Sequence, residues 1–186
     1  MPNFTTKAIK DSFLKLLNQR PLNQITVKDI VEDCGISRNS FYYHFEDIPS
    51  LVERIITEEA DRIIKDYPTI DSIEKCLDVA IRFAIENKKA AYHIYNSANS
   101  AMYVQHTLDV CEYVVKTYIN TAFPEIPVSE EDKKIIIRFY KCVCFGQIID
   151  WLNSGMKDDI ITSFKRLCEL KKGTVEELLR KSAEMK

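Results

Sequence analysis

The sequence predicts an all-α protein, in which an N-terminal helix-turn-helix head of three helices precedes a C-terminal helical bundle, with about nine to ten helices in total. Only four glycines and six prolines interrupt the 186 residues, which favours long helices with few connections. Apolar residues recur at the i, i+3, i+4 spacing of a helix, and no strand-like alternation persists. The hydrophobic content of 46% is enough for a core, and 29% of charged residues indicate a solvated surface.

Residues 1–47 form the predicted head. Its first helix, over 5–18, has an inner apolar stripe of Ile9, Phe13, Leu16 and Leu17. Its second helix, over 27–34, begins after Thr26 as a cap and has one apolar face, formed by Val27, Ile30, Val31 and Cys34. Gly35 follows, where a left-handed residue ends a helix.

A third short helix completes the head. Ser37 is its predicted N-cap, and Phe41 and Phe45 point inward at i, i+4. The outer positions are Arg38, Asn39, Ser40, Tyr42, Tyr43 and His44. An exposed helix start with Arg, Asn and Ser suits contacts to base edges and phosphates.

Residues 48–186 form the predicted body. Capping residues, glycines and prolines divide its apolar stripes into helices over 47–67, 71–86, 90–97, 100–122, 129–153, 158–171 and 174–185. The clearest signals are Pro49 in a first helical turn, Ser129 as an N-cap and Gly173 as a stop.

The segment TVKDIVEDCGISRNSFYYHF, residues 26–45, resembles the DNA-binding signature of the TetR family of bacterial transcriptional regulators. Within that family, YYHFEDI is similar to the subgroup of dihydroxyacetone-kinase activators. The resemblance implies that Thr26 and Lys28 touch phosphate, that Arg38–Ser40, after the Ser37 cap, face the major groove, and that Tyr42, Tyr43 and His44 hold the DNA backbone. Ile48 stands where the family often has a phosphate-gripping lysine.

Charge gives the head no general affinity for DNA. The chain has a net charge of −2, and residues 1–47 contain as many acidic as basic side chains. We therefore expect a local DNA-binding face, built around Lys28 and Arg38, with salt-dependent binding through few phosphate contacts.

A polar and aromatic region around His93 and His106 has two interpretations. It is either a partly exposed helix edge with core aromatics, or a small-molecule pocket with apolar walls and a few polar groups. The candidate ligand-binding residues are Tyr92, His93, Tyr95, Asn96, Asn99, Met102, Tyr103, His106, Tyr113 and Tyr140.

The helix predicted over 129–153 is apolar around most of its circumference, so it needs cover on more than one side. By resemblance to the family, we expect a four-helix homodimer interface; the alternative is a monomer in which this helix is central. The candidate interface residues are Ile136, Tyr140, Val143, Gly146, Ile149, Ile160, Phe164 and Leu167.

No nucleophile–base set, glycine-rich phosphate loop, carboxylate pair or metal-ligand spacing is visible, so we expect no enzyme activity, cofactor or metal. The six cysteines are expected to be buried thiols of a cytoplasmic protein, and no apolar run is long enough to span a membrane. The predicted function is a ligand-responsive transcriptional repressor that binds a palindromic operator as a homodimer. An activator, a helical module that has lost DNA recognition, and a small enzyme dependent on His93 or His106 are the alternatives.

Overall fold

The computed structural model describes residues 2–66, 85, 87–98 and 100–185, and all the regular structure in these ranges is helical. The all-α prediction is therefore confirmed for these residues. The α-helices are α1 (Pro2–Leu17), α2 (Val27–Cys34), α3 (Arg38–His44), α4 (Ile48–Asp66), α5 (Lys88–Tyr95), α6 (Ser100–Ala122), α7 (Glu130–Asn153), α8 (Ile160–Leu170) and α9 (Thr174–Glu184). A 3₁₀ turn at Leu22–Gln24 precedes α2. The helix predicted over 71–86 lies outside the described residues, except for Ile85.

The chain divides into two compact units. The first contains the described parts of residues 1–61 and 83–106, and the second contains those of residues 62–82 and 107–186. The first unit therefore holds α5 and the start of α6 together with the predicted head.

The core of the first unit is built on the apolar face of α1. Ile9, Phe13 and Leu17 are completely buried, as are Ile30 of α2 and Phe41 of α3. Ser12 is buried on the same face, and its hydroxyl donates a hydrogen bond to the Ile30 carbonyl at 3.2 Å. This bond satisfies a hydroxyl that burial would otherwise leave without a partner, and it ties α1 to α2.

Helix α5 is attached to the C-terminal end of α1. The Asn18 side chain donates to the Leu14 carbonyl at 2.9 Å and accepts from the Ala90 N–H at 3.3 Å. Asn18, the residue that follows α1, thus caps the start of α5, where the N-cap residue Asn87 makes no side-chain cap. One turn later, Nδ1 of His93 lies 2.8 Å from the Leu17 carbonyl. Because a carbonyl only accepts, this nitrogen carries the hydrogen.

The second unit packs α9 against α6 and α7. Its buried cluster contains Val115 and Ile119 from α6, Ile136 and Tyr140 from α7, and Val175 and Leu179 from α9. The Ser182 hydroxyl donates to the Asp132 carboxylate at 2.6 Å, which closes the far end of the α7–α9 contact. In the described part of the chain, no helix is long and apolar enough to cross a membrane.

Candidate nucleic-acid interface

The turn between α2 and α3 is defined by local hydrogen bonds. Thr26 caps α2 in a capping box with Asp29, in which each side chain accepts from the other residue's backbone N–H. Gly35 ends α2 with φ 70° and ψ 32°, in the left-handed region that glycine adopts most readily. The Ser37 side chain then accepts from the Ser40 N–H at 3.1 Å and starts α3. The caps and the turn predicted at these positions are confirmed.

The outer side of α3 is open to solvent. Arg38 and Asn39 are exposed and Ser40 is half-buried, while Tyr42 and Tyr43 are 55% and 82% exposed. Tyrosine is enriched at binding surfaces, because its ring is apolar and its hydroxyl is polar. Phe41 and Phe45 point into the core, as predicted. The short helix therefore presents the polar and aromatic side that the sequence assigned to DNA.

His44 is half-buried at the end of α3. Its Nδ1 lies 3.4 Å from the Thr6 hydroxyl, so the start of α1 lies beside the end of α3. Its ring also packs edge-on against Tyr43, with the centroids 5.0 Å apart. These contacts hold the aromatic end of α3 in position.

Two helix starts in this region carry their own carboxylates. At α2, Asp29 accepts from the Thr26 N–H at 2.8 Å and from the Thr26 hydroxyl at 2.6 Å, and the Arg20 guanidinium lies 3.1 Å away. The hydrogen bonds from Thr26, followed by Arg20, lower the pKa of Asp29 to about 2. At α4, Asp47 accepts from the Ser50 N–H at 2.8 Å and donates its own N–H to the Ser50 hydroxyl. Acidic groups at helix N-termini interact favourably with the helix dipole, but they repel an approaching phosphate.

The other DNA-binding candidates are partly engaged within the protein. Thr26 is exposed, but its hydroxyl is used by the capping box. Lys28 is also exposed, and its Nζ lies 3.7 Å from Oε1 of Glu32, one turn along α2. Ile48, at the position where the family often has lysine, is half-buried.

The candidate ligand-binding residues are distributed over both units. Tyr113 and Tyr140 belong to the second unit, Asn99 lies outside the described residues, and the other members belong to the first unit. Tyr103 is buried, which raises its pKa to about 12, and its ring packs against Tyr95 with centroids 6.3 Å apart. The side chain of His93 is engaged with α1, and that of Asn96 donates to the Tyr92 carbonyl. Met102 and His106 are half-buried and Tyr92 is exposed.

Within 2–66, 85, 87–98 and 100–185, no group of three His, Cys, Asp or Glu residues could hold a metal ion.

The candidate dimer residues lie on different sides of their helices. Ile136 and Tyr140 belong to the buried cluster of the second unit, and the ring of Tyr140 also lies under the Lys171 ammonium. Ile160 and Phe164 are buried, Val143, Ile149 and Leu167 are half-buried, and Gly146 is exposed. The open side of α7 is a neighbouring stripe of Ile135, Phe139, Cys142 and Gly146, spaced i, i+4, i+7 and i+11, which we call the α7 stripe. The expected burial of the cysteines is confirmed for Cys111 and wrong for Cys142, which lies on this stripe; Cys34, Cys144 and Cys168 are half-buried.

Several residues that contact or lie beside the candidate DNA-binding residues were missed from the sequence. Arg20 and Asp29 pair beside Thr26, Asp47 pairs with Ser50, and Thr6 contacts His44. The spacing Asp47-x-x-Ser50 is a capping signal that sequence reasoning could have found. Arg20 contacts Asp29 and Thr6 contacts His44 across separate segments of the chain, so no local sequence pattern predicts these contacts.

Comparison with known proteins matches both parts of the chain. Residues 11–55 match the family described as "Bacterial regulatory proteins, tetR family", and residues 71–173 match the family described as "Transcriptional regulator C-terminal region". The first match contains the whole helix-turn-helix, and the second covers more than half of the chain.

Two individual proteins are also similar. Over 58 residues, 31% of this chain is 36% identical to the "Uncharacterized HTH-type transcriptional regulator YxbF" of Bacillus subtilis (strain 168), and this match spans only 15% of that relative's length. The solved structure of the "Dihydroxyacetone kinase operon activator DhaS" superimposes with a TM-score of 0.78 over 92% of this chain and 96% of its own. At 19% sequence identity, this second likeness shows a shared fold.

Proposed function

Because this chain belongs to the TetR family of bacterial transcriptional regulators, we propose that it is a ligand-responsive repressor, which binds a palindromic operator as a homodimer and leaves it when a small-molecule effector binds. Membership of this family identifies the chain as a DNA-binding regulator and not an enzyme. The observation that supports the proposal best is the exposed start of α3, with Arg38 and Asn39 open to solvent behind the Ser37 cap. Such a protein acts where the operator is, in the cytoplasm.

Recognition of the operator is assigned to α3. Arg and Asn side chains form bidentate hydrogen bonds with guanine and adenine edges in the major groove, and serine bonds to either. Tyr42, Tyr43 and His44 lie at the other end of the helix, where their polar tips suit the phosphate backbone. Thr26 and Lys28 at the start of α2 complete the proposed contact set.

Dimerisation is proposed because α3 has only seven residues and reads few bases alone. Two-fold pairing presents two such helices to the two halves of a palindrome. The α7 stripe favours this arrangement, since Ile135 and Phe139 are 60% and 55% exposed and Gly146 has no atom within 4 Å of an added Cβ. We assign the self-association face to this stripe and the half-buried Val143 and Ile149 on the same helix.

The effector response is proposed as a population shift. A ligand that binds one arrangement of the two heads more tightly lowers operator affinity by its differential affinity for the two states. Helix α4 follows α3 directly and continues from the first unit into the second, so we propose it as the lever. The polar and aromatic residues around His93 and Tyr103 are the proposed ligand region.

The DNA-binding step is tested by a gel shift at low salt, with the duplex that lies upstream of the chain's own coding region. We expect a shift with the wild-type chain and a loss of about 1–3 kcal/mol in binding on Arg38→Ala, if Arg38 reads a base. Arg166→Ala is the matched control, because it removes an exposed arginine from α8. A wild-type chain that shifts no duplex at low salt would instead favour a helical module without DNA recognition.

The dimer is tested by sedimentation and by the reactivity of Cys142. We expect Phe139→Glu to give monomers and to expose the Cys142 thiol to a maleimide, which the wild-type dimer protects. Phe4→Glu makes the same chemical change at an exposed phenylalanine of the first unit, and it should leave the oligomeric state unchanged. A wild-type monomer at micromolar concentration would contradict the proposed assembly.

The sign of regulation needs a separate experiment. The structural neighbour DhaS is described as an operon activator, which makes activation the second candidate. A transcriptional reporter under the bound promoter distinguishes the two: deletion of a repressor raises expression, and deletion of an activator lowers it.

A further inference from the structure

Arg20 is a basic residue of the head that the predicted DNA-binding set omits. It lies after α1, in the segment that leads to α2, and its guanidinium Nη2 lies 3.1 Å from Oδ2 of Asp29. We propose that Arg20 is a DNA-positioning residue, which neutralises Asp29 beside the duplex and supplies a contact to a backbone phosphate. This inference rests on the proposed function, because it requires that the head binds DNA.

The first argument is electrostatic. Asp29 Oδ2 already accepts from the N–H and the hydroxyl of Thr26, so the carboxylate is fixed at the start of α2. Duplex DNA carries one negative charge per about 1.7 Å of its axis. An uncompensated carboxylate at this point would repel the phosphates that α2 has to approach. The positive charge of Arg20 removes that repulsion.

The second argument is the donor capacity of Arg20. A guanidinium has five N–H donors, more than one carboxylate oxygen can accept. The Arg20 side chain is 35% exposed, so it is open to a second acceptor. A planar guanidinium between a carboxylate and a phosphate would use this capacity, since its geometry matches both groups.

The third argument is a comparison with another ion pair of the same unit. Lys15 of α1 lies 2.6 Å from Asp33, which is in the last turn of α2. This pair also ties α1 to α2, but it lies at the end of α2 away from Thr26. Lys15→Ala and Arg20→Ala therefore remove the same charge and one ion pair each, and they differ in position along α2.

The test measures fluorescence anisotropy of a fluorescein-labelled duplex of about 30 base pairs and mixed sequence, between about 50 and 200 mM salt. A backbone contact acts on any sequence, so the operator is not needed. Each phosphate contact multiplies the binding constant by about the molar salt concentration raised to the power −0.9. We therefore expect Arg20→Ala to weaken binding about 8-fold at about 100 mM salt. The slope of log K against log salt concentration should also become smaller by about 0.9. Lys15→Ala should stay within about twofold of the wild type, because Lys15 pairs with Asp33 in the last turn of α2, where no phosphate contact is proposed.

A second variant keeps the inference testable if Arg20→Ala folds poorly. Asp29→Asn removes the acidic charge and frees Arg20, so it should tighten binding of the same duplex. Equal losses of affinity in Arg20→Ala and Lys15→Ala would overturn the inference, as would an unchanged affinity in Asp29→Asn. A merely structural role of Arg20 would lower the melting temperature and leave the salt slope unchanged. If the wild-type chain binds no duplex at about 50 mM salt, the proposed DNA-binding function fails, and the inference fails with it.

Discussion

Substitution of Gly35 by alanine should destabilise the chain through its backbone alone. Gly35 has φ 70° and ψ 32°, and a Cβ added there would meet no atom within 4 Å. An L-residue in this left-handed conformation costs about 1–2 kcal/mol, and the lost freedom of the unfolded glycine offsets roughly 0.4–1 kcal/mol of it. The expected net loss is about 1 kcal/mol, which corresponds to a melting temperature lower by about 2–4 °C in a chain of this length.

Urea and thermal unfolding followed by circular dichroism measure this loss. Gly35→Asn is the matched control, since asparagine visits the left-handed region more readily than alanine and should lose only a few tenths of a kcal/mol. The expected order of stability is therefore Gly, then Asn, then Ala. An alanine variant as stable as the wild type, or less affected than the asparagine variant, would show that the turn does not require this conformation.

Three further predictions concern individual contacts. Because the pKa of Asp29 is lowered to about 2 in the folded chain, its contribution to stability is present above about pH 4 and is lost as the pH falls towards 2. The stability of Asp29→Asn should therefore fall less steeply than that of the wild type over this pH range. The same pH dependence in both proteins would contradict the assignment. Asn18→Ala leaves the Ala90 N–H without its cap and should lower the free energy of unfolding by about 1–2 kcal/mol in urea. Asn96→Ala, which removes a single exposed hydrogen bond, should lower it by less than about 0.5 kcal/mol. Equal losses would contradict the proposed attachment of α5 to α1. Leu179→Ala opens the α7–α9 cluster and should lose about 2–5 kcal/mol in the same assay, and a loss below about 1 kcal/mol would mean that α9 contributes little to the second unit.

The helix-turn-helix was predictable because its signals are local. Thr26 and Ser37 act as caps within three residues of their partners, and Gly35 stands where the left-handed conformation occurs. Phe41 and Phe45 are one helical turn apart, so their shared inward direction follows from the helix period. None of these features depends on residues distant in the sequence.

The outer surface of α7 was not predictable in the same way. The helix is apolar around most of its circumference, so periodicity does not distinguish the side that packs within the protomer from the side that stays open. The contact with α9 buries Ile136 and Tyr140 and leaves Ile135 and Phe139 exposed, although these residues are adjacent in sequence. The face is thus decided by which helix packs where, which is a long-range property. The same limit applies to His93, whose partner Leu17 is 76 residues away.

The distribution of charge links the proposed dimer to the proposed role of Arg20. Among the helices that begin in residues 26–48, α2 and α4 have a carboxylate in their capping interactions, Asp29 and Asp47, whereas the cap of α3 is the Ser37 hydroxyl without an acidic partner. A phosphate can therefore approach α3 without meeting an acid, but it meets one at α2 unless Arg20 compensates for it. A head of this kind binds weakly by itself, because few phosphate contacts release few counterions. Joining two heads makes the second binding event intramolecular, which raises the overall affinity without any new contact to the DNA. Operator binding by this chain should accordingly depend steeply on dimerisation and only moderately on salt, the reverse of what a strongly basic monomer would show.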